Sequence, residues 1–205
     1  MRRLFKRAED GPERWIVVGL GNPGERYAGT RHNAGVLVVE ELVERTGSRL
    51  KSHRSSCLVA EARLVQEPVV LARPTDYMNN SGRPVRQLLS FYKAPIERLI
   101  VVHDEIDLPF GDLRLKAGGG TAGHNGLKSV ASHLGSKEFL RVRVGVGRPR
   151  GSKQAADHVL DTFSGAERKE LPELIDRAAD AVERVVEAGV ERAMNEVNTR
   201  TEKQR

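Results

Sequence analysis

The stretch Gly19–Gly35, GLGNPGERYAGTRHNAG, follows the apolar run Trp15–Val18, WIVV. Its first six residues fit G-x-G-x-x-G, the pattern in which dinucleotide-binding proteins hold a pyrophosphate. In those proteins a helix begins at the third glycine, so that its amide groups meet the phosphates. Here Gly24 is followed by a segment without apolar periodicity and by a further glycine, Gly29, and a helical pattern starts only about ten residues later. We therefore interpret the stretch as a polar loop at the carboxyl end of a buried strand, and keep a nucleotide-dependent enzyme as a second reading that dinucleotide binding would test.

Strand and helix patterns interleave along the rest of the chain. Strands are predicted at Trp15–Leu20, Cys57–Val65, Pro68–Ala72, Leu99–Val102, Asp112–Lys116 and Phe139–Val146, and helices at Ala34–Thr46, Pro84–Lys93, Asn125–Leu134 and Ala166–Asn195. Runs that are apolar on both faces are typical of strands covered by helices on both sides. The sequence thus predicts a single α/β domain with a mixed, mostly parallel β-sheet flanked by α-helices on both faces.

The residue types near the two ends of the chain and in the last helix predict where the domain and this helix end. We expect a basic, flexible arm at residues 1–14, one domain over residues 15–198 and a frayed tail at 199–205. The pattern of the last helix is expected to break at Pro172 and again at Gly189.

Composition narrows the class of protein. The chain has 205 residues, with 34 Lys and Arg against 28 Asp and Glu, which gives a net charge of +6. A basic excess favours a polyanionic partner. The single cysteine, Cys57, excludes an intrachain disulfide and fits a reducing compartment, so we expect a cytoplasmic protein. No run of about 18 apolar residues is present, and no membrane span is predicted.

Four polar loops, two of them rich in glycine, follow predicted strands or turns. They are Gly19–Gly35, Thr75–Gly82, His103–Asp107 and Gly118–Gly126. Ligands of open α/β sheets gather at the carboxyl ends of the strands. This concentration of polar loops indicates a functional site there.

The residue types in these loops favour a histidine that activates water. No G-x-S-x-G motif supports an acyl-serine mechanism. His103 and the acidic residues after it lack a metal-ligand spacing such as H-E-x-x-H, so neither a metal nor another cofactor is predicted. His32, in the first loop, is the best candidate for a general base, and Asp104 is expected at the ligand end of the sheet. Asn79 and Asn125 supply neutral donors for a carbonyl oxygen that gains charge.

A basic strip is predicted on two strands. Arg114 and Lys116 alternate on one strand and so share a face, and Arg141 and Arg143 do the same on another. Cations in this arrangement favour contacts to phosphate groups. A solvated charged face is the alternative.

Four motifs together resemble bacterial peptidyl-tRNA hydrolase. They are Gly19–Gly35, Pro74–Gly82 (PTDYMNNSG), Val101–Val130 (VVHDEIDLPFGDLRLKAGGGTAGHNGLKSV) and Phe139–Pro149 (FLRVRVGVGRP). The resemblance runs from about Trp15 to the final helix. It implies a monomeric enzyme that needs no cofactor and cleaves the ester between a peptide and the 3′ ribose of tRNA. Its partner would be peptidyl-tRNA, bound through the acceptor stem, the 3′ end and the peptide.

The resemblance also implies roles for individual residues. His32 is similar to the family's general base, Asp104 to the carboxylate that orients this base, and Asn22 to the residue that reads the blocked amide of the peptide. Tyr27, Tyr77, Asn79 and Asn125 resemble residues that line the substrate channel, with Met78 beside them, and Lys116 and Arg143 resemble a clamp on the 5′ phosphate. Some relatives of this fold are RNA-binding factors without catalysis, and a non-catalytic RNA-binding homologue is therefore the alternative function.

Overall fold

Seven strands form one mixed sheet in a computed structural model that describes residues 14–149 and 154–203. The strands are β1 (Trp15–Gly19), β2 (Lys51–His53), β3 (Cys57–Leu64), β4 (Glu67–Pro74), β5 (Leu99–Glu105), β6 (Leu113–Ala117) and β7 (Leu140–Gly145). Their order in the sheet is β2-β3-β4-β1-β5-β7-β6. The four inner strands β4, β1, β5 and β7 are parallel, whereas β2, β3 and β6 pair antiparallel at the two edges. The predicted mixed, mostly parallel sheet is confirmed.

Helices cover both faces of this sheet. They are α1 (Glu25–Ala28), α2 (Ala34–Arg45), α3 (Gly82–Tyr92), α4 (Asn125–Leu134), α5 (Ala155–Leu160), α6 (Gly165–Ala188) and α7 (Val190–Lys203), with 3-10 turns at Arg31–Asn33, Met78–Asn80 and Ile96–Arg98. Trp15 and Val17 of β1 face a core shared with α2 and α6, while Ile16 and Val18 face a second core with α3 and α4. Because side chains alternate along a strand, one strand supplies both cores.

The last helices differ from the prediction in two places. Pro172 lies inside α6 without ending it, since the φ of proline is compatible with a helix and the face beginning at Leu174 is buried against the sheet. Helix α7 continues to Lys203, where a frayed tail was expected after Asn198. The side chain of Asn198 accepts a hydrogen bond from the Leu115 amide at 2.9 Å and donates to the Leu115 carbonyl at 3.1 Å. This pair of bonds holds α7 on the edge strand β6.

The bounds of several strands also differ from the prediction. β5 continues through Glu105 instead of ending at Val102, so Asp104 belongs to the strand itself. β7 is one residue shorter at each end than the predicted strand Phe139–Val146. Its residues alternate as in a strand with one exposed face, but it is an inner strand and largely buried. The turn between β3 and β4 consists of Val65 and Gln66, whereas the predicted strands Cys57–Val65 and Pro68–Ala72 leave Gln66 and Glu67 for the turn.

The remaining sequence expectations concern membranes and the chain ends. In the described ranges, no helix combines the length and the apolar character that a bilayer span requires. The predicted arm at residues 1–14 lies outside the described residues except for Arg14, which forms an ion pair with Glu61 on β3.

Candidate active site

Close packing explains the glycines of the first loop. A Cβ atom on Gly19 would lie 2.2 Å from the carbonyl oxygen of Gly35, and one on Gly35 would lie 2.2 Å from that of Val102. These glycines therefore allow the start of α2 to lie directly on the ends of β1 and β5. The 3-10 turn that precedes α2 contains His32 and is thereby placed beside Asp104.

Three side chains meet at this point. His32 Nδ1 lies 2.9 Å from Oδ1 and 3.0 Å from Oδ2 of Asp104, and His124 Nε2 lies 3.0 Å from the same Oδ1. Asp104 is buried, and 12% of the His32 side chain is exposed. One carboxylate thus connects two imidazoles that come from separate loops, and the exposed fraction leaves His32 accessible from outside.

The hydrogen bonds define which ring nitrogens hold protons. An ionised carboxylate only accepts, so a neutral His32 has its proton on Nδ1 and a lone pair on Nε2. His124 Nδ1 accepts from the Leu127 amide at 3.3 Å, which places the proton of a neutral His124 on Nε2, facing Asp104. The nitrogen and oxygen ligand atoms of the three residues lie within 4.8 Å of one another, a spacing compatible with a metal ion. The distances of 2.9–3.0 Å between the imidazole nitrogens and the carboxylate are also those of hydrogen bonds.

The two imidazoles keep Asp104 ionised. Burial on its own raises the pKa of the Asp104 carboxyl, but the charges and hydrogen bonds of His124 and His32 outweigh burial and hold this pKa well below its usual range. Asp104 is therefore a carboxylate at neutral pH and can stabilise a positive charge on His32.

A third imidazole lies behind the pair in the core. His103 is buried and its Nδ1 donates to the Asp104 carbonyl at 2.7 Å, while its Nε2 has no partner among the described residues. Burial first, and the charge of His124 second, lower the pKa of His103 to about 3. His103 is thus neutral near pH 7 and supports the end of β5 by its hydrogen bond.

The site opens into a cavity of about 590 Å³. Its polar lining includes His32, Asp104, Asn22, Asn79 and Asn125. An apolar part comes from Met78, Ile106 and the helix α5, through Ala155, Ala156, Val159 and Leu160. A group of polar side chains beside an apolar wall fits a substrate with both kinds of group.

Asn22 is held in one orientation within this cavity. Its Oδ1 accepts from the Met78 amide at 2.8 Å, and its main chain exchanges two hydrogen bonds with the side chain of the buried Asn33, at 2.9 and 3.0 Å. With its oxygen occupied, Asn22 has its amide NH₂ group left to donate to a bound molecule.

Comparisons with known proteins agree with the fold. A family model described as "Peptidyl-tRNA hydrolase" matches residues 16–205. The chain belongs to this family. It is 60% identical to the peptidyl-tRNA hydrolase of Frankia casuarinae over 91% of this chain and 93% of that protein, and 56% identical to that of Leifsonia xyli over 90% and 97%. A crystal structure of the peptidyl-tRNA hydrolase from Acinetobacter baumannii superposes with a TM-score of 0.85 at 38% identity, covering 90% of this chain and 94% of that one.

Most of the candidate site residues come together in the cavity. His32, Asp104, Asn22, Tyr77 and the group Met78, Asn79 and Asn125 all line it. Tyr27 is outside the lining and meets the exposed ring of Tyr77 edge-on, with centroids 6.3 Å apart. The clamp candidates Lys116 and Arg143 lie on β6 and β7 and do not line the cavity.

The basic strip is only partly as predicted. Strand register places Arg114 opposite Arg143 and Lys116 opposite Arg141, so the four cations do share a face. Arg141, however, is 1% exposed and donates to the carbonyls of Gly119 and Gly120. It supports the glycine loop instead of offering a charge to solvent, because its side chain is covered by that loop.

Two parts of the site were not predicted from the sequence. His124 was noted only as part of a glycine-rich loop. Its Nδ1 caps helix α4 in the structure, but histidine is not one of the residue types that signal a helix start in a sequence. Helix α5 has six residues and little apolar periodicity, so the sequence pattern did not predict this helix or its place in the cavity wall.

Proposed function

We propose that the chain hydrolyses peptidyl-tRNA by direct attack of water, with His32 as the general base and Asp104 as the residue that orients it. The contact of His32 Nδ1 with both oxygens of Asp104 is the observation that supports this best. It leaves His32 Nε2 as the basic nitrogen on the side of the ring away from the carboxylate.

The reaction requires one base and a place for the ester. His32 Nε2 takes a proton from a water molecule, and the oxygen of that water forms a bond to the ester carbonyl carbon. The tetrahedral intermediate then expels the 3′ oxygen of the tRNA ribose, which takes the proton back from the imidazolium. Asp104 stabilises the imidazolium that exists between these two transfers. Since an ester has a better leaving group than an amide, this small set of groups is sufficient.

Neutral amide side chains donate hydrogen bonds to the substrate and to the oxygen that gains charge in the reaction. Asn22 offers its NH₂ group to the blocked peptide amide, which a free aminoacyl ester does not have. Asn79 and Asn125 are exposed on the cavity wall and are positioned to donate to the carbonyl oxygen or the peptide. Tyr27 and Tyr77 extend the channel outward as an edge-on aromatic pair.

Lys116 and Arg143 bind the 5′ phosphate of the acceptor stem in this proposal. The register of β6 and β7 makes them diagonal neighbours on one face, which corresponds to about 7–8 Å between backbone positions. One phosphate group can therefore contact both long side chains. Replacing both with alanine should weaken tRNA binding and reduce its salt dependence.

A non-catalytic RNA-binding homologue would not need a base that is oriented by a buried carboxylate. The test is cleavage of N-acetylaminoacyl-tRNA with and without a chelator, with unblocked aminoacyl-tRNA as the poor substrate. His32→Ala should lower the rate by roughly 10²–10⁴. His53→Ala, which removes a histidine on the edge strand β2, is the matched control and should retain activity. Turnover of His32→Ala at the original rate would refute the assignment.

The proposed unit of function is one chain in the cytoplasm. All groups in the proposed mechanism come from a single copy, and Cys57 is buried as a free thiol whose pKa burial raises to about 11. Light scattering at assay concentrations should give the mass of a monomer, and activity per chain should not depend on protein concentration.

A further inference from the structure

Arg143 is already paired with a carboxylate. Its Nε and Nη2 both donate to Oε2 of Glu105 at 3.0 Å. The Glu105 side chain is 5% exposed, and its second oxygen accepts from the Asp107 amide at 3.1 Å. Three hydrogen bonds thus fix this carboxylate, and the positive charge of Arg143 is cancelled next to where a phosphate would bind.

Lys116 differs from Arg143 in this respect. It is exposed, and within the described part of the chain it forms no ion pair. The two members of the proposed clamp therefore contribute unequally: Lys116 presents a whole charge, whereas Arg143 presents a guanidinium with two of its five N–H donors committed to Glu105.

A clamp of limited strength has a kinetic advantage in this reaction. The substrate and the released tRNA have the same 5′ phosphate, so a phosphate contact binds both equally. Uniform binding of this kind lowers KM without accelerating the chemical step, and strong binding of the product slows its release. A carboxylate that weakens the clamp would favour turnover.

We propose that Glu105 is a specificity-determining residue that sets the phosphate affinity of Arg143. Glu105 orients the guanidinium of Arg143 and cancels most of its charge. The guanidinium is then positioned to donate hydrogen bonds to the 5′ phosphate, but its electrostatic attraction for the phosphate is weak. This inference rests on the proposed phosphate clamp and extends it to a residue that does not itself touch the phosphate.

Binding of deacylated tRNA with a 5′ phosphate tests the proposal without involving catalysis. Glu105→Gln keeps the acceptor oxygen but removes the charge, and should bind this tRNA about threefold tighter or more, which corresponds to the strength of one partly exposed ion pair. Between about 50 and 200 mM salt, the slope of log K against log salt should steepen by about 0.7–0.9, the value for one further neutralised phosphate. The gain should vanish with tRNA that lacks the 5′ phosphate.

Asp107→Asn is the matched control. It makes the same change of charge two residues away, where Asp107 pairs with the exposed Arg148 at 2.6 Å. Equal tightening in this variant, or unchanged affinity in Glu105→Gln, would overturn the proposal because the effect would then be general or absent.

Two further variants separate this proposal from the clamp itself. In Glu105→Gln with Arg143→Gln no buried charge is left unpaired, so the fold is preserved better than in Arg143→Gln alone. If this double variant binds more weakly than the wild type and Glu105→Gln shows no gain, the clamp holds and the role of Glu105 is wrong. If the double variant and Arg143→Gln both bind the tRNA like the wild type, Arg143 does not belong to the phosphate clamp. The proposed clamp and the proposed role of Glu105 would then both be wrong.

Discussion

Asp104→Asn is the substitution that tests the catalytic arrangement most directly. The wild-type carboxylate accepts from His32 at 2.9 and 3.0 Å and from His124 at 3.0 Å. Asparagine has the same shape but a single acceptor oxygen. If that oxygen stays between the two rings, its NH₂ group faces the N–H of His32, and the histidine is driven toward the tautomer that has no lone pair on Nε2.

The size of the effect follows from the lost charge. A carboxylate and an imidazolium about 4 Å apart attract by about 4 kcal/mol at the effective dielectric constant of a partly buried site. This attraction acts only when His32 is charged, and therefore mainly in the transition state. Each 1.36 kcal/mol corresponds to about a factor of ten, so kcat should fall by about 10³, while KM for N-acetylaminoacyl-tRNA should change little.

A double variant shows whether Asp104 acts through His32. Cleavage of N-acetylaminoacyl-tRNA is measured in single turnover for Asp104→Asn, His32→Ala and their combination. If the carboxylate works by orienting and charging the imidazole, removing it from His32→Ala should cost little more. Rate losses that multiply across the two substitutions would refute this reasoning, because Asp104 would then contribute independently of His32.

Three predictions concern stability. His103 has a pKa of about 3 in the folded protein and about 6.5 when unfolded, so between these values the unfolded chain binds more protons and stability falls as pH decreases. In urea titrations between about pH 6.5 and 4.5, the unfolding free energy of His103→Asn should therefore fall less steeply with decreasing pH than that of the wild type. The two slopes should differ by up to about 1.4 kcal/mol per pH unit, and equal slopes would contradict this prediction. Val65 and Gln66 both have positive φ, 48° and 72°, so Val65→Asn with Gln66→Gly should raise the unfolding free energy by about 1–2 kcal/mol in thermal or urea melts, and a loss of stability would refute the turn assignment. Asn198→Ala removes both hydrogen bonds to Leu115 and should destabilise α7 by about 1–3 kcal/mol. Amide hydrogen exchange should become faster in α7 but not in α3. An equal change in both helices would contradict the proposed role of Asn198 in holding α7 on β6.

The sequence predicts those parts of the fold in which periodicity decides the structure. β1 and β5 are apolar on both faces and do lie between helices, and α4 has the predicted bounds, Asn125–Leu134. Tertiary contacts decide the parts that differ. Pro172 is tolerated because α6 is packed against the sheet, and α7 extends past Asn198, whose side chain bonds to β6.

The candidate site shows the same division. His32 and Asp104 were linked by their resemblance to family motifs and by their expected places at strand ends, and they do meet. The pairing of Arg143 with Glu105 and the burial of Arg141 depend on strand register and loop course, which alternation along a single strand does not contain. Ala122 adopts φ 46° in the loop Gly118–Gly126, a left-handed backbone conformation that is more strained for alanine than for glycine and that the sequence pattern does not reveal.

The glycines of the first loop have a different physical role from those of a dinucleotide-binding loop. In a dinucleotide site, glycines clear space for a pyrophosphate in front of a helix. Here Gly19 and Gly35 clear space for the backbone of α2 against β1 and β5, and a short α1 and a 3-10 turn intervene before α2 begins. The end of the sheet is therefore occupied by the His32 turn instead of by a phosphate. Larger side chains at Gly19 or Gly35 would push α2 away and separate His32 from Asp104, so the same pattern that resembles a nucleotide loop here brings these two side chains together.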